Sequence, residues 1–419
     1  MMAGQAEASL SPGAGQKSSI LRNRNFRRVF AASAVSTLGT PMTALAIPLT
    51  ALGLLDANAA QMGLLGTLTT ISFMLFGLPA GVLVDRVSRR TLMVVADFGR
   101  ALVLLSIPVA WLLDGLTLTQ MYAVAFVNGT LTLFFSVSSQ SFLPSIVPPA
   151  RLAEANAVLS SFREGNGIAG SALAGLLIQL VTAPVVIVLD ALSYLWSGTV
   201  IALIGRTPEP VAEKQRMTSG IMSGLRYVFT HEMLRPIAVS GAVSNVGALM
   251  TLTLMPILYQ RVLALPAGAL GLFMATGGAG ALLGSYTGHR LARRVGEGRV
   301  LWMFGLVIMP FAVLVASAGR GPWQWISMAA WLVVCYQSGM YNVLLVSFRQ
   351  RITPGDLLGR MNATMRFTLT GATALGAALA GTIGQLAGVR EALYVAAAIT
   401  ATAWIPYFLS PMRHLRRLP

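Results

Sequence analysis

Asp190 stands in PVVIVLDALSYLW (184–196), an apolar run with no opposite charge within three or four positions. At the centre of a helix in lipid, a charged side chain costs about 2.5–3.5 kcal/mol on insertion scales. A carboxyl in such a place either bonds a neighbouring helix or serves as a proton or cation site. Asp97 and Arg100 lie three apart in VVADFGRALVLL (94–105), so they share a helix face and can neutralise each other. They read as a static ion pair near the inner end of a bundle, with a gate pair that breaks on opening as the alternative. Arg163 and Glu164 are adjacent and cannot meet on one helix face, so each needs a partner elsewhere. With a helix starting near 157, both are expected close to the inner interface. Glu164 is then a candidate to take and release a proton, as a desolvated carboxylate can near neutral pH.

Uncharged polar groups in apolar runs form a second set: Asn128, Asn245, Gln337, Tyr341 and Asn342, with Tyr336 nearby. They either line a central cavity or join helices by hydrogen bonds, the commoner use of such residues in lipid. A third group is the dense cluster GVLVDRVSRR (81–90), where Asp85, Arg86, Arg89 and Arg90 sit between two oily stretches. Enzyme chemistry finds little support. His231, His289 and His414 fall in expected loops or the tail, Cys335 is the one cysteine, and no GxxxxGK[ST] phosphate loop occurs. No metal site and no cofactor are expected.

These residues are carried by an unusual chain. Of its 419 residues 55% are hydrophobic and 11% charged, against about 25% charged in a soluble domain, so most of it must face lipid or other helices. Roughly twenty apolar residues cross a bilayer core. On that basis twelve helical spans are expected, near 29–54, 62–84, 91–113, 118–142, 157–181, 184–205, 236–259, 267–288, 300–317, 324–346, 367–387 and 391–410. Only helices satisfy their backbone groups over such lengths in lipid. Numbering loops from an N-terminus inside, 24 of the 30 Lys and Arg fall in the tails and inner loops, and three (Arg261, Arg320, Arg390) in the outer ones. That split follows the positive-inside rule and places both termini in the cytoplasm. It also assigns the net charge of +16 to short loops facing anionic lipid, not to nucleic acid. The first nineteen residues are polar, lack the apolar core of a signal peptide, and are expected to start in the cytoplasm.

An internal repeat organises the spans. SFLPSIVPPARLAEANA (141–157) recurs as SFRQRITPGDLLGRMNA (347–363), and fifteen of forty positions match between 141–180 and 347–386. Two related halves of six spans follow. The divisions expected are a tail 1–28, a first half 29–205, a linker 206–235, a second half 236–410 and a basic tail 411–419. The linker's second part, SGIMSGLRYVFTHEML, is expected as an ordered connector, with a membrane-surface amphipathic helix as the alternative. The glycine pairs Gly77/Gly81 and Gly280/Gly284 read as close helix packing.

With these motifs the sequence resembles the major facilitator superfamily of secondary transporters, over 20–412. Gly81, Leu83, Asp85, Arg86, Arg89 and Arg90 match that family's signature between helices 2 and 3, with Ser88 in place of its second glycine. RNRNFRRVF, ADFGRAL, VLDALSYL and LLGRMNA are similar to the branch of bacterial siderophore exporters and macrolide or multidrug efflux proteins. The helix-5 antiporter motif survives only in part, as NGIAGSALAG, where Gly170 and Gly175 match. The resemblance implies an all-α integral membrane protein of twelve helices in two pseudo-symmetric halves that rock about a midplane site. It implies a secondary transporter driving proton-coupled export of a small amphipathic organic compound, an antibiotic, drug or siderophore. Nutrient uptake or lysolipid movement by the same fold is the alternative; a receptor or embedded enzyme is the rival from another class. The expected setting is the bacterial cytoplasmic membrane, as a monomer, with the proton gradient in place of a cofactor. The resemblance further implies that Gly81, Asp85, Arg86, Arg89 and Arg90, with Asp97 and Arg100, form a conformational switch. In it Asp85 latches on to the start of helix 11.

Overall fold

Apolar stretches of this length must satisfy their own backbone in lipid, and all of the expected spans are helical. A computed structural model describes residues 20–205, 217–308, 310–355 and 357–414, apart from the side chains of 78, 79, 81–83, 85, 217–221 and 414. The first half holds α1 (Arg24–Leu54), α2 (Ala59–Arg86), α3 (Arg89–Leu112), α4 (Leu118–Ile146), α5 (Leu152–Leu180) and α6 (Ala183–Ala202). A connecting helix α7 (Met217–Thr230) leads to α8 (Leu234–Ile257), α9 (Ala267–Val295), α10 (Glu297–Ile308), α11 (Phe311–Ala316), α12 (Pro322–Ile352), α13 (Leu358–Leu386), α14 (Val389–Ala401) and α15 (Ile405–Phe408). Among the described residues no strand occurs.

Ten stretches among the described residues are long and apolar enough to cross a membrane. The other two expected spans are helical as well. In α5 the polar residues Arg163, Glu164 and Asn166 dilute the apolar run, and the twelfth span is broken between α14 and α15 at 402–404. The ninth span is described as α10 and α11, on either side of residue 309, which lies outside the described residues. Several helices outrun their apolar stretches: α5 starts at 152 instead of 157, α9 ends at 295 instead of 288, and α13 starts at 358 instead of 367. Hydropathy falls where the hydrocarbon ends, whereas a helix continues into the wet interface, where arginines are ordinary. Helix starts are capped locally. The Asn23 side chain accepts from the Asn25 and Phe26 amides at 3.0 and 3.1 Å, and Thr117 caps α4.

Packing follows the repeat. In the first half α1 lies against α5 and α6, α2 against α4, and α3 against α4 and α6. Their counterparts do the same: α8 against α13 and α14, α9 against α12, and α11 against α14. The halves meet through α2 with α13 and α5 with α9. The connector is helical, and α7 packs on α8 and α13 with Val228 fully buried. The segment 206–216 of the expected linker lies outside the described residues.

An even span number puts both chain ends on one face, here called the terminal face, with the far face opposite. Paired glycines hold the halves together toward the far face. A Cβ at Gly381 of α13 would stand 2.8 Å from the Gly63 Cα of α2, and one at Gly175 of α5 would stand 2.8 Å from the Gly271 Cα of α9. Arg261 adds a bridge there, donating to the Leu52 carbonyl at 3.1 Å and to Asp56 at 3.3 Å. One buried core accordingly runs through both halves on the far side, including Leu45, Met62, Leu254 and Phe273. On the terminal side it divides. Phe26, Met93, Phe142 and Ile201 form a core within the first half, and Leu234, Leu301, Phe348 and Tyr407 form one within the second. The buried apolar core is therefore parted on its terminal side.

Two glycine expectations separate here. Gly280 and Gly284 of α9 face the backbone carbonyls of Leu332 and Tyr336 of α12, which is the close packing expected. Gly77 of α2 meets nothing within 4 Å, so it is not a packing glycine in this conformation. The two halves share a sequence pattern here but not a contact.

Candidate functional site

Asp190 is completely buried on α6, and its Oδ1 accepts from Ser193 Oγ at 3.0 Å. Gly39 of α1 makes room for it, since a Cβ there would collide with the carboxyl and stand 2.8 Å from Ser193 Oγ. Thr43 of α1 stands beside the carboxyl, while Asp190 Oδ2 has no hydrogen-bond partner. Packed against α6 lies α3, whose Arg100 is 3% exposed and paired with fully buried Asp97. The guanidinium carbon sits 4.0 Å from the Tyr194 ring centroid of α6 and 4.4 Å from that of Phe135 of α4. Tyr194 in turn shares a 3.2 Å hydrogen bond with Thr40 Oγ1. Asp97 Oδ2 and Arg100 Nε are left without partners.

Two candidates that look separate in sequence thus form one cluster. At about 1.5 Å rise per residue, Arg100 lies about 16 Å from the start of α3 and Asp190 about 18 Å from the end of α6, both terminal-face ends. They share a depth near the middle of the membrane, and the pair is deeper than the inner-end position expected for it. Arg100 is the one cation among the described residues that acts on both carboxyls. Arg100→Leu should destabilise the folded protein by about 3–5 kcal/mol, because two buried carboxyls would lose their cation. Thermal unfolding in detergent checks this. Adding Asp97→Asn to that variant should restore most of the loss, and no restoration would refute the pairing argument.

Two cavities adjoin at Leu252 of α8, which lines both. The first, about 420 Å³, lies between the halves; Thr40, Thr43, Thr70, Asn128 and Tyr194 wall it on the first-half side, and Leu249, Thr253 and Met274 on the other. Asn128 Oδ1 is buried there without a partner. One layer of side chains, Thr43 and Tyr194, separates this space from Asp190. The second cavity, about 440 Å³, lies in the second half and gathers Asn245, Gln337, Tyr341 and Asn342. Asn245 also bonds the Gly241 carbonyl at 2.8 Å, Tyr341 donates to the Leu301 carbonyl, and Gln337 Oε1 is buried and unpartnered. All five uncharged candidates therefore face cavities.

Other expected residues are placed differently. Arg163 and Glu164 are exposed, and Arg163 reaches only Ser160 Oγ at 3.2 Å. Because α5 begins at 152, Arg163 is about 17 Å along it, deeper than expected. Glu164 is thus not the desolvated carboxyl the sequence suggested. Arg86 is exposed, while Arg89 donates to the Ser141 carbonyl at 3.0 Å, and Arg90 donates to the Ile201 carbonyl at 3.3 Å and to that of Ala202. These bonds tie the α2–α3 hairpin to the ends of α4 and α6, inside the first half. Ser88, in place of a signature glycine, caps α3 by accepting from the Thr91 amide at 3.4 Å. Gly81 lies within α2, and the Asp85 latch falls outside the described side chains.

Some residues escaped the sequence reading. Arg349 lines the second cavity because α12 continues to 352, past the span expected to end at 346. Arg366 of α13 reaches Ser136 of α4 at 3.3 Å and lies 5.8 Å from the Phe73 ring centroid of α2, so it bridges the halves. Tyr194 was within reach, standing four residues after Asp190 on the same helix face.

Residues 16–417 match the MFS_3 family, described as "Transmembrane secretion effector". The chain belongs to the major facilitator superfamily. As a transporter of that superfamily and not an enzyme, it has relatives named for export. It is 24% identical over 400 residues to an uncharacterised MFS-type transporter, YfiS, of Bacillus subtilis (strain 168), covering 90% of this chain and 91% of the relative. It is 24% identical over 375 residues to the enterobactin exporter EntS of Salmonella choleraesuis (strain SC-B67), covering 86% of each. In fold the transporter is similar to the nucleoside transporter NupG, with a TM-score of 0.72 at 13% identity over 92% of this chain and 99% of that one.

Proposed function

We propose that the transporter exports a small amphipathic organic compound, exchanging it for protons by alternating access. The observation that carries this reading is the Asp190 site: a fully buried carboxyl at mid-depth, with one oxygen unpartnered, sharing a single arginine with Asp97. Ionising both carboxyls would leave uncompensated charge in the bundle, which is expensive in lipid. One proton on the cluster removes that cost. Thr43 and Tyr194 stand between this proton site and the first cavity, so loading of the cavity and protonation can influence one another. The parted terminal side and closed far side describe one of the two states the cycle needs. The arginine asymmetry makes the terminal face cytoplasmic, so that state receives cargo from inside. Export is favoured by the family description and by the relatives named as enterobactin exporters.

The test begins with a resistance and accumulation screen across chemical classes in a bacterial strain stripped of its own exporters. Expression should lower the accumulation of a cargo class, and everted vesicles should take that cargo up when acidified inside. Raised accumulation on expression would reverse the direction, and uptake indifferent to the gradient would remove the proton.

A further inference from the structure

The two cavities differ in charge. Among the described residues lining either one, Arg349 is the single charged side chain, and it lies in the second. Aromatic groups line the same cavity: Tyr407 beside Arg349, then Tyr341 and Trp404, with the Tyr341 and Tyr407 rings edge to face at 5.9 Å, while Trp331 stands about 27 Å further along α12. Arg349 acts on Tyr407, which is itself buried, and its Nε is buried without a partner. Among the described residues no carboxylate pairs with Arg349; the nearby Glu297 is taken by Arg351 at 3.5 Å. A guanidinium that only needed water would extend along its helix to the interface. This one is turned into a cavity whose other polar groups, Asn245, Gln337 and Asn342, are neutral.

From this we infer that the second cavity selects an anionic aromatic amphiphile, whose acidic group pairs with Arg349 while its ring lies toward Tyr341 and Tyr407. The inference rests on the proposed transport of an amphipathic compound and adds its charge. A planar guanidinium with its fork free matches a carboxylate or sulfonate through two parallel hydrogen bonds. The anion also supplies the counter-charge that the described residues do not. The division of labour is then explicit: the first half holds the proton cluster, the second half the cargo's charge, and Leu252 stands where their cavities meet.

The experiment uses the whole transporter in lipid nanodiscs without any gradient, with three probes of one ring system: dansylglycine (anionic), dansylamide (neutral) and dansylcadaverine (cationic). Energy transfer from Trp331 and Trp404 to the dansyl group reports binding. Dansylglycine should bind about tenfold more tightly than dansylamide, the worth of one charge-assisted pair, with dansylcadaverine weakest. Arg349→Gln should erase the preference for the anion, and Arg349→Lys should keep part of it. Equal binding of the three probes to the parent protein, or an anion preference that survives Arg349→Gln, overturns the inference. Should Arg349→Gln not fold, the parent's ranking decides alone: anion first supports the site, and any other order refutes it. The ranking is read at equilibrium without a gradient and proton coupling by gradient-driven transport, so failure of proton coupling and failure of anion selection are read separately.

Discussion

Asp190→Asn should exchange cargo across a membrane at the parent's rate and lose all response to a pH gradient. The amide has the carboxyl's shape, keeps an oxygen to accept from Ser193, and fits the space that Gly39 leaves. It cannot gain or lose a proton. If the cluster of Asp97, Arg100 and Asp190 couples protons to movement, the asparagine fixes it in its neutral form, and the two conformations interconvert without drawing on the gradient. In proteoliposomes, counterflow should persist while gradient-driven accumulation falls to the level of protein-free liposomes. Glu164→Gln provides the contrast. Glu164 is exposed and shares no arginine with the cluster, so its amide should retain the gradient response. A gradient response surviving in Asp190→Asn would end the proposal, and its loss in Glu164→Gln alone would move the proton to α5.

Gly381→Val should hold the transporter open toward the far face and stop transport without unfolding it. Gly381 and Gly63 touch across the halves, backbone to backbone, so the added side chain has no flexible neighbour to displace. Overpacking of this kind costs about 1–3 kcal/mol, and the cost falls only on the conformation where the far ends meet. The population therefore moves by about tenfold or more toward the opposite state, since about 1.4 kcal/mol is a factor of ten. Gly284→Val is the control. Gly284 lies against the Tyr336 carbonyl inside the second half, a contact that rigid halves keep throughout the cycle, so this change should reduce folded protein instead of shifting a balance. Labelling of single cysteines at each face, with thermal unfolding alongside, separates the two outcomes. Unchanged labelling in Gly381→Val, or equal loss of fold in both variants, would contradict the idea that the paired glycines form a far-face closure.

Much of the architecture could be read from the residues. The apolar stretches, the arginine bias and the 206-position repeat are local or statistical properties, and the bilayer acts on them directly. A segment is either oily enough to enter lipid or it is not, and a loop arginine crosses only at a heavy cost. Hence the twelve helical spans and two related halves match the expectation, and the 81–90 signature pointed to the right superfamily. Errors at the helix ends have the same origin: hydropathy marks the edge of the hydrocarbon, so it ends α12 at 346 and puts Arg349 in a loop.

What the tertiary structure alone decided is who meets whom inside the bundle. Asp97 and Arg100 on α3 and Asp190 on α6 are some ninety residues apart, and their approach depends on the rotation of each helix about its axis. Small residues on the partners set that rotation: Gly39 admits the Asp190 carboxyl, and a Cβ at Gly198 of α6 would stand 3.2 Å from the Asp97 Cβ. No signal along the chain reports such a contact, because a glycine reads alike whether it faces a carboxyl, a neighbouring backbone or, like Gly77, open space. Composition decides which segments enter the membrane; side-chain packing between them decides which charges end up sharing one arginine.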